Sequence, residues 1–309
     1  MKLGAFVLAA VAVTGGVLGQ GCSRNRQEAV LMATKGDQEV KVNVDGAIND
    51  YEQATRLDPT NHRILFKLAM AYRKKEDWDK VASTLARAAS LAPQYANYWF
   101  ERGYAIEMQA RKKVVASFEE AREPFQKCVE HDSNYAECYE ELGNVFLYTD
   151  DEPNALQNYT KAVEHDPSNL SYYNVLADLY IRLGYMTQAE QVLKEAKSFL
   201  KPSDKSQAKA NFGVHMLLAQ VYQDRGSQAE QVAELEAAKA AAPEGAEAIQ
   251  ILFALGSTYA LLPQPRSAEA IQMLRGFNAR ACKGAKAQTY RTECETTQTL
   301  VAKLGGTLQ

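Results

Sequence analysis

The sequence predicts an all-α solenoid of about six to seven helix pairs closed by a C-terminal capping helix. Two observations carry this. First, related strings recur along the chain: ATRLDPTN, RAASLAPQ, KCVEHDSN, KAVEHDPS and AAKAAAPE. Pro59 and Pro93 stand 34 residues apart, and so do Ser133 and Pro167. A fixed period of this size means stacked structural units rather than one compact core. Second, between these strings apolar residues fall at spacings of three and four, with small and bulky side chains in fixed alternation. That is the pattern of paired helices in close contact, each second helix stopped by Pro at the turn.

The first segment stands apart from the repeats. Met1-Lys2 gives a minimal positive start, Leu3 to Leu18 carries no charge, and GQGCS follows, which is the shape of an export signal. The uncharged run is short for a membrane-spanning helix. Small residues before Cys22 resemble a bacterial lipoprotein signal, although Gly19 occupies the place where such signals usually carry Leu. The expectation is a signal peptide over 1–21 and a lipidated Cys22 opening a short tether over 22–27, with plain secretion as the alternative. Ser23 in the next place, by resemblance to enterobacterial lipoproteins, favours the outer membrane.

The repeats then follow over 28–280. The first is half legible: Ala47, Tyr51, Ala54 and Pro59 make a good second helix, whereas residues 25–36 make a poor first one. The second gives Leu65, Leu68, Ala69 and Tyr72, then Val81, Leu85, Ala88 and Pro93. The third has Trp99 and Gly103, but its second helix resumes late, at Ala121, Phe125 and Cys128. The extra stretch around ARKKVVAS lengthens the helices or their turn, and Pro124 bends the second helix unless that helix starts late. The fourth fits throughout: Tyr139, Leu142, Gly143 and Phe146, then Ala155, Tyr159, Ala162 and Pro167. The fifth gives Tyr173, Leu176, Ala177 and Tyr180, then Ala189, Leu193 and Ala196. The sixth keeps Leu218, Ala219, Tyr222, Leu235, Ala238 and Pro243 after extra residues near KPSDKSQA. The seventh keeps Leu255, Gly256 and Tyr259, with a second helix near Ala268–Phe277. Residues 281–309 are expected to supply the cap, a helix from about Ala285 to Leu304.

Bulky-x2-Leu-(Gly/Ala)-x2-Tyr followed by Ala-x3-(aromatic/Leu)-x2-Ala-x4-Pro, at this period, resembles the tetratricopeptide repeat. The resemblance implies a single right-handed superhelix with no independent second domain. It also implies a concave groove lined by the second, fifth, ninth, twelfth and thirteenth residues of each repeat. Carried onto this chain, the second repeat supplies Arg63, Phe66, Met70, Arg73 and Lys74. The third supplies Asn97, Phe100, Tyr104, Glu107 and Met108. The fourth supplies Glu137, Glu140, Asn144, Leu147 and Tyr148, and the fifth Ser171, Asn174, Asp178, Ile181 and Arg182. Phe66, Met70, Phe100, Tyr104 and Met108 would hold a helix or extended peptide, and Arg63, Arg73 and Lys74 would orient its acidic end. The alternative is that neighbouring helices fill this groove. The Lys/Asn carboxylate clamp of chaperone-binding relatives is not reproduced.

Candidates for chemistry are few. KCVEHDSNYAEC gathers Cys128, His131, Asp132 and Cys138, but VEHDSN and VEHDPS place His131 and His165 at the same point of the period. A residue repeated by the period is explained by the turn it occupies, at the end of a helix where a cation is favoured. His62 and His215 stand alone. No G-x-G-x-x-G, P-loop, H-E-x-x-H or G-x-S-x-G is present, so no catalytic residue, metal or cofactor is expected. Beyond Cys22 four cysteines remain. Cys128 and Cys138 flank one turn and Cys282 and Cys294 flank the start of the cap, which points to two disulfides, with reduced core thiols as the alternative. A formal net charge of −3 and a pI near 5.9 give no pull toward nucleic acid. The functional expectation is a periplasm-facing, outer-membrane scaffold or assembly factor that binds a membrane, secretin or motility-complex subunit. Its likeness is to pilotin-type lipoproteins of the type IV pilus and to motility lipoproteins. A polysaccharide- or cell-wall-binding module is the alternative, and a β-barrel assembly component the third.

Overall fold

A computed structural model describes residues 16–112 and 117–308, with side chains from residue 24 onward. Residues 1–15 of the expected signal segment and the side chain of Cys22 lie outside the described residues, while 16–21 are helical. The described residues are helical throughout, with no strand. The chain divides into two compact units, 1–149 and 150–309.

Unit 1 holds α1 (Gly16–Glu39), α2 (Val44–Leu57), α3 (His62–Lys74), α4 (Trp78–Leu91), α5 (Ala96–Arg111), α6 (Arg122–His131) and α7 (Ala136–Tyr148). Each packs on the next. The expected tether, 22–27, lies within α1. The first helix that looked poor in sequence forms because its small residues meet α2: Ala29 and Ala33 are buried, and a Cβ added at Gly36 would lie 2.8 Å from the Tyr51 ring. Asn43, Asn61 and Asp77 cap α2, α3 and α4 by accepting a backbone N–H, replacing a bond the helix start lacks.

The insertion in the third repeat resolves in two places. Helix α5 runs to 16 residues where α3 and α7 have 13, and a 3₁₀ turn over Phe118–Ala121 precedes α6. Pro124 therefore falls in the first turn of a late-starting α6, where its missing N–H costs no hydrogen bond. Gly103 lets α5 and α6 meet, since a Cβ there would come within 2.7 Å of the Phe125 ring.

Unit 2 holds α8 (Glu152–His165), α9 (Leu170–Arg182), α10 (Met186–Ala196), α11 (Ala208–Asp224), α12 (Gln228–Ala241), α13 (Ala246–Leu261), α14 (Ser267–Ala281), α15 (Lys286–Thr289) and α16 (Arg291–Lys303). The extra residues of the sixth repeat form two 3₁₀ turns, Lys197–Phe199 and Lys205–Gln207. The cap is not one helix: it breaks at Tyr290 between α15 and α16, and α16 covers α13 and α14. Leu300 and Val301 supply its apolar face.

The period reaches the backbone of the turns. The residue two before the second helix is left-handed in four repeats: Glu76 (φ 54°), Asp150 (φ 57°), Gly184 (φ 79°) and Gly226 (φ 71°). Small residues recur in the second helices, with Ala54, Ala88, Ala162, Ala196 and Ala238 wholly buried. Cys128 fills that slot in the third repeat and is bonded to Cys138, with Cα atoms 6.2 Å apart. Cys282, at the end of α14, is bonded to Cys294 in the first turn of α16, Cα atoms 5.7 Å apart.

Candidate interaction surfaces

The groove residues of the second repeat come together beside α1. Phe66, Met70 and Lys74 line an apolar pocket of about 180 Å³ with Val40, Tyr51, Lys67 and Ala71. Phe66 stacks on Tyr98 at 4.9 Å. Arg63 is exposed at the start of α3, and Lys74 donates to the carbonyl of Val40 at 3.2 Å. Arg73 is committed elsewhere. Its Nη1 donates to both oxygens of Glu101, at 2.5 and 2.6 Å, and its guanidinium lies 4.8 Å from the Tyr104 ring centre. Burial pushes the Glu101 carboxyl above its ordinary range in spite of that guanidinium. An acidic ligand would have to displace Glu101 to reach Arg73.

Phe100, Tyr104 and Met108 form a wall rather than an open trough. Phe100 stacks on Tyr135 at 5.3 Å and lies 6.1 Å from Phe125. Tyr104 meets Trp78 edge-on at 5.8 Å, and Met108 packs against the core of the first repeats. Leu147 is half-buried. Tyr148 is exposed, stacks on Phe118 at 4.0 Å, and has the Arg111 guanidinium 5.2 Å from its ring centre. Asn144 donates to Glu141 Oε2 at 2.8 Å. In unit 2, Asn174 joins two helices instead of facing a ligand: its amide donates to Ala210 O at 3.0 Å and packs over Gly213.

Between α5 and α7 carboxylates are crowded. Glu107 is buried, Glu140 and Glu141 are half-buried, and Glu137 is exposed. Arg111 Nε and Nη2 both donate to Glu107 Oε1, at 2.9 and 2.6 Å. Burial, then the charges of Glu137 and Glu107, pushes Glu140 up to about 7. Burial and the facing Glu107 carboxylate also hold Glu141 well above the carboxylate range.

The histidines have structural work. His131 stacks on Trp99 at 6.4 Å, and beside it Asp132 accepts from the Asn134 N–H at 3.1 Å. Asp166, beside His165, makes the same turn with the Ser168 N–H at 3.1 Å. His62 Nδ1 is 2.9 Å from Tyr98 Oη. His215 Nδ1 is 2.7 Å from Glu234 Oε2, while Lys197 holds Oε1 at 2.6 Å. Burial opposes the Glu234 charge, but these two donors outweigh it and hold the carboxyl below its ordinary range. Among the described residues no group of three His, Cys, Asp or Glu is arranged to hold a metal ion. No described helix is long and apolar enough to cross a membrane.

An open cavity of about 680 Å³ lies in unit 2, among α11, α12 and α13. Met216, Leu217, Phe253, Leu261 and Leu262 give it an apolar floor, and Gln220, Gln223, Gln228 and Gln250 surround that floor with amides. Glu293 is the one charged residue in its lining. Reading the groove positions only as far as the fifth repeat misses this cavity. The same rule carried into the sixth and seventh repeats yields Gly213, Met216, Gln220, Gln223 and Asp224, then Gln250, Phe253, Ser257, Ala260 and Leu261. Seven of these ten line it; Gly213, Asp224 and Ala260 do not. The signal was present in the register.

Comparison with known proteins agrees with this architecture. Residues 43–76 and 64–97 match two tetratricopeptide-repeat families, and residues 139–251 match the family of the fourth ARM domain of tetratricopeptide repeat protein 21. The C-terminal part of a TPR repeat-containing protein from Cytophaga hutchinsonii superposes with a TM-score of 0.62 at 14% identity, over 83% of this chain and 98% of that one. A tetratricopeptide repeat protein from Parabacteroides merdae gives 0.53 at 15% identity, over 91% of this chain and 100% of that one. Pseudomonas aeruginosa PilF gives 0.53 at 16% identity, over 74% of this chain and 96% of that one. At these identities the likeness speaks to the fold.

Proposed function

Because the chain belongs to the tetratricopeptide-repeat family, we propose that it is a lipid-anchored envelope scaffold that captures an extended, uncharged segment of a partner protein in the unit 2 groove. The observation that carries this reading is the lining of that groove. Primary amides both donate and accept, so Gln220, Gln223, Gln228 and Gln250 can pair with a peptide backbone along its length. The apolar floor takes alternate side chains, and Leu261 is 62% exposed in the absence of a partner. Phe253 is the single aromatic residue lining the groove, and it lies against Phe277 at 5.1 Å. A groove built to stack sugar rings would present more aromatic faces, which favours polypeptide over glycan. The anchor rests on the signal-like segment ending at Cys22, and the outer membrane on Ser23. In this reading the machine served is a type IV pilus secretin or a motility complex.

A photo-crosslinking residue at Gln220, in cells of the native host, tests the reading. A discrete polypeptide adduct is expected, and a glycan adduct without protein would overturn it. Cys22→Ser tests the anchor independently: the variant should leave the membrane fraction, and unchanged membrane association would remove the lipoprotein part of the proposal.

A further inference from the structure

We propose that Glu293, in the first turn of α16, selects for the unit 2 groove a segment with one cation at its end. The cation is a lysine or arginine side chain of the partner protein, and the rest of the segment is uncharged. The inference rests on the groove reading above and names the chemistry of one end of its ligand.

Amides and hydroxyls surround the apolar floor of this groove, and Glu293 is the one ionised group among them. It comes from outside the repeats. Glu293, Thr297 and Leu300 fall on one face of α16, at spacings of four and three, and Thr297 and Leu300 are buried. Glu293 thus continues a buried stripe to the point where it meets the groove, a place that ordinarily takes an apolar residue. The positive end of the helix accounts for a carboxylate in the first turn; it does not account for one that lines an apolar groove. Among the described residues Glu293 has no hydrogen bond or ion pair, unlike Glu234 and Glu236 of α12, which Lys197 and Arg266 hold. A half-buried carboxylate gives up water and gains nothing in return until an opposite charge arrives.

Its position is fixed from three sides. Cys294, the next residue, is bonded to Cys282. Tyr290 sets its ring edge-on to Phe277 at 5.9 Å, and Phe277 lies against Phe253 of the groove floor at 5.1 Å. Cys294, Tyr290, Ile249 and Phe253 share one apolar cluster. The start of α16 therefore lies beside the Gln250 end of α13, and Leu261 marks the other end of the groove. Leu261 stands eleven positions after Gln250 along this helix, which makes about 16 Å of groove. An extended strand covers that length with about five residues. A cation held at Glu293 fixes the register of the whole segment, and an acidic residue there is repelled.

The test uses blocked hexapeptides of alternating leucine and serine that end, at one terminus or the other, in lysine, glutamine or glutamate. Each is titrated calorimetrically into the full chain at pH 7. One of the two lysine orders should bind about fivefold more tightly than its glutamine and glutamate counterparts, a preference that shrinks as salt rises. Glu293→Gln should abolish the preference, and Glu293→Lys should transfer it to the glutamate peptide, a reversal that misfolding cannot imitate. In host cells Glu293→Lys should also cut the yield of the Gln220 adduct by about fivefold. Equal affinity of the lysine and glutamine peptides in both orders would overturn the proposal, as would a preference or an adduct undiminished by Glu293→Lys. Those results would leave the groove reading standing, since binding is still seen. No binding by any hexapeptide would also overturn the proposal, and the Gln220 adduct of the unsubstituted protein, present or absent, then decides the groove reading separately.

Discussion

Replacing Gly103 with Ala tests the close approach on which the third repeat depends. A Cβ at this position would lie 2.7 Å from Cε1 of Phe125 and 2.8 Å from Cδ1 and Cζ. The ring has no free side to turn to: it is wholly buried in a cluster with Ile106, Ala121, Leu142 and Val145. Two effects oppose one another. Alanine is favoured over glycine in a helix by about 1 kcal/mol, whereas forcing an extra group into a packed core costs about 1–3 kcal/mol. Contact this far inside van der Waals distance belongs to the upper half of that range, so the net loss is about 1–2 kcal/mol. Both tryptophans, Trp78 and Trp99, lie in unit 1, so urea unfolding followed by tryptophan fluorescence reports on the relevant unit. The midpoint should fall with the slope unchanged. Phe125→Leu in the Gly103→Ala background should recover part of the loss, a coupling a double-mutant cycle detects. If Gly103→Ala is as stable as the parent or more so, helix propensity has won and the reasoning about close approach is wrong.

Three further outcomes follow from the same geometry. Glu76 occupies the left-handed turn position that Gly184 and Gly226 fill elsewhere. Glu76→Gly should therefore stabilise unit 1 by roughly 0.5–1 kcal/mol despite losing the surface pair with Lys112, and a lower urea midpoint would contradict this. Glu140 has its folded pKa raised from 4.5 to about 7. The folded state thus binds more protons than the unfolded between those values, and stability should fall as pH rises through that window, the fall continuing above it while Glu141, also raised, loses its proton. Glu140→Gln should flatten that part of a midpoint-versus-pH series, and an unaltered slope would refute the assignment. Cys128→Ala/Cys138→Ala places at residue 128 the residue that Ala88 and Ala162 supply in neighbouring repeats, so the cavity cost at that slot is small. The loss should be close to the loop-closure value, about 2.5–3 kcal/mol for a sequence separation of 10, read as the difference in urea midpoint; no difference would mean the staple is idle.

What the sequence could and could not show divides along one physical line. Features set by the period were legible: the helix pairs, the small-residue slots and the matching turns at Asp132 and Asp166, whereas for Pro124 a bend and a late helix start stood open until the fold showed the late start. Interactions between repeats were not legible. Lys67–Asp37, Lys75–Asp45, Lys112–Glu76 and Arg225–Glu190 each join residues about one period apart, and no local pattern announces such a pair. Arg73 illustrates the consequence. Its register placed it in a groove facing a ligand, but Glu101, 28 positions on, claims it. His215 shows the converse, since it stood alone in sequence and pairs with Glu234 in the fold. The break at Tyr290 was also hidden, because nothing in KAQTYRTEC stops a helix by propensity alone.

The central claim is that the amide-ringed, apolar groove of unit 2 holds the partner. Phe253→Glu/Leu261→Glu places two charges on its floor, at residues that are half-buried and exposed in the free protein. The decisive measurement is the yield of the Gln220 crosslinked polypeptide from this variant, beside its far-UV circular dichroism. The account predicts at least a tenfold fall in adduct with the helical signal unchanged. Undiminished adduct from a folded variant would show that the partner is held elsewhere.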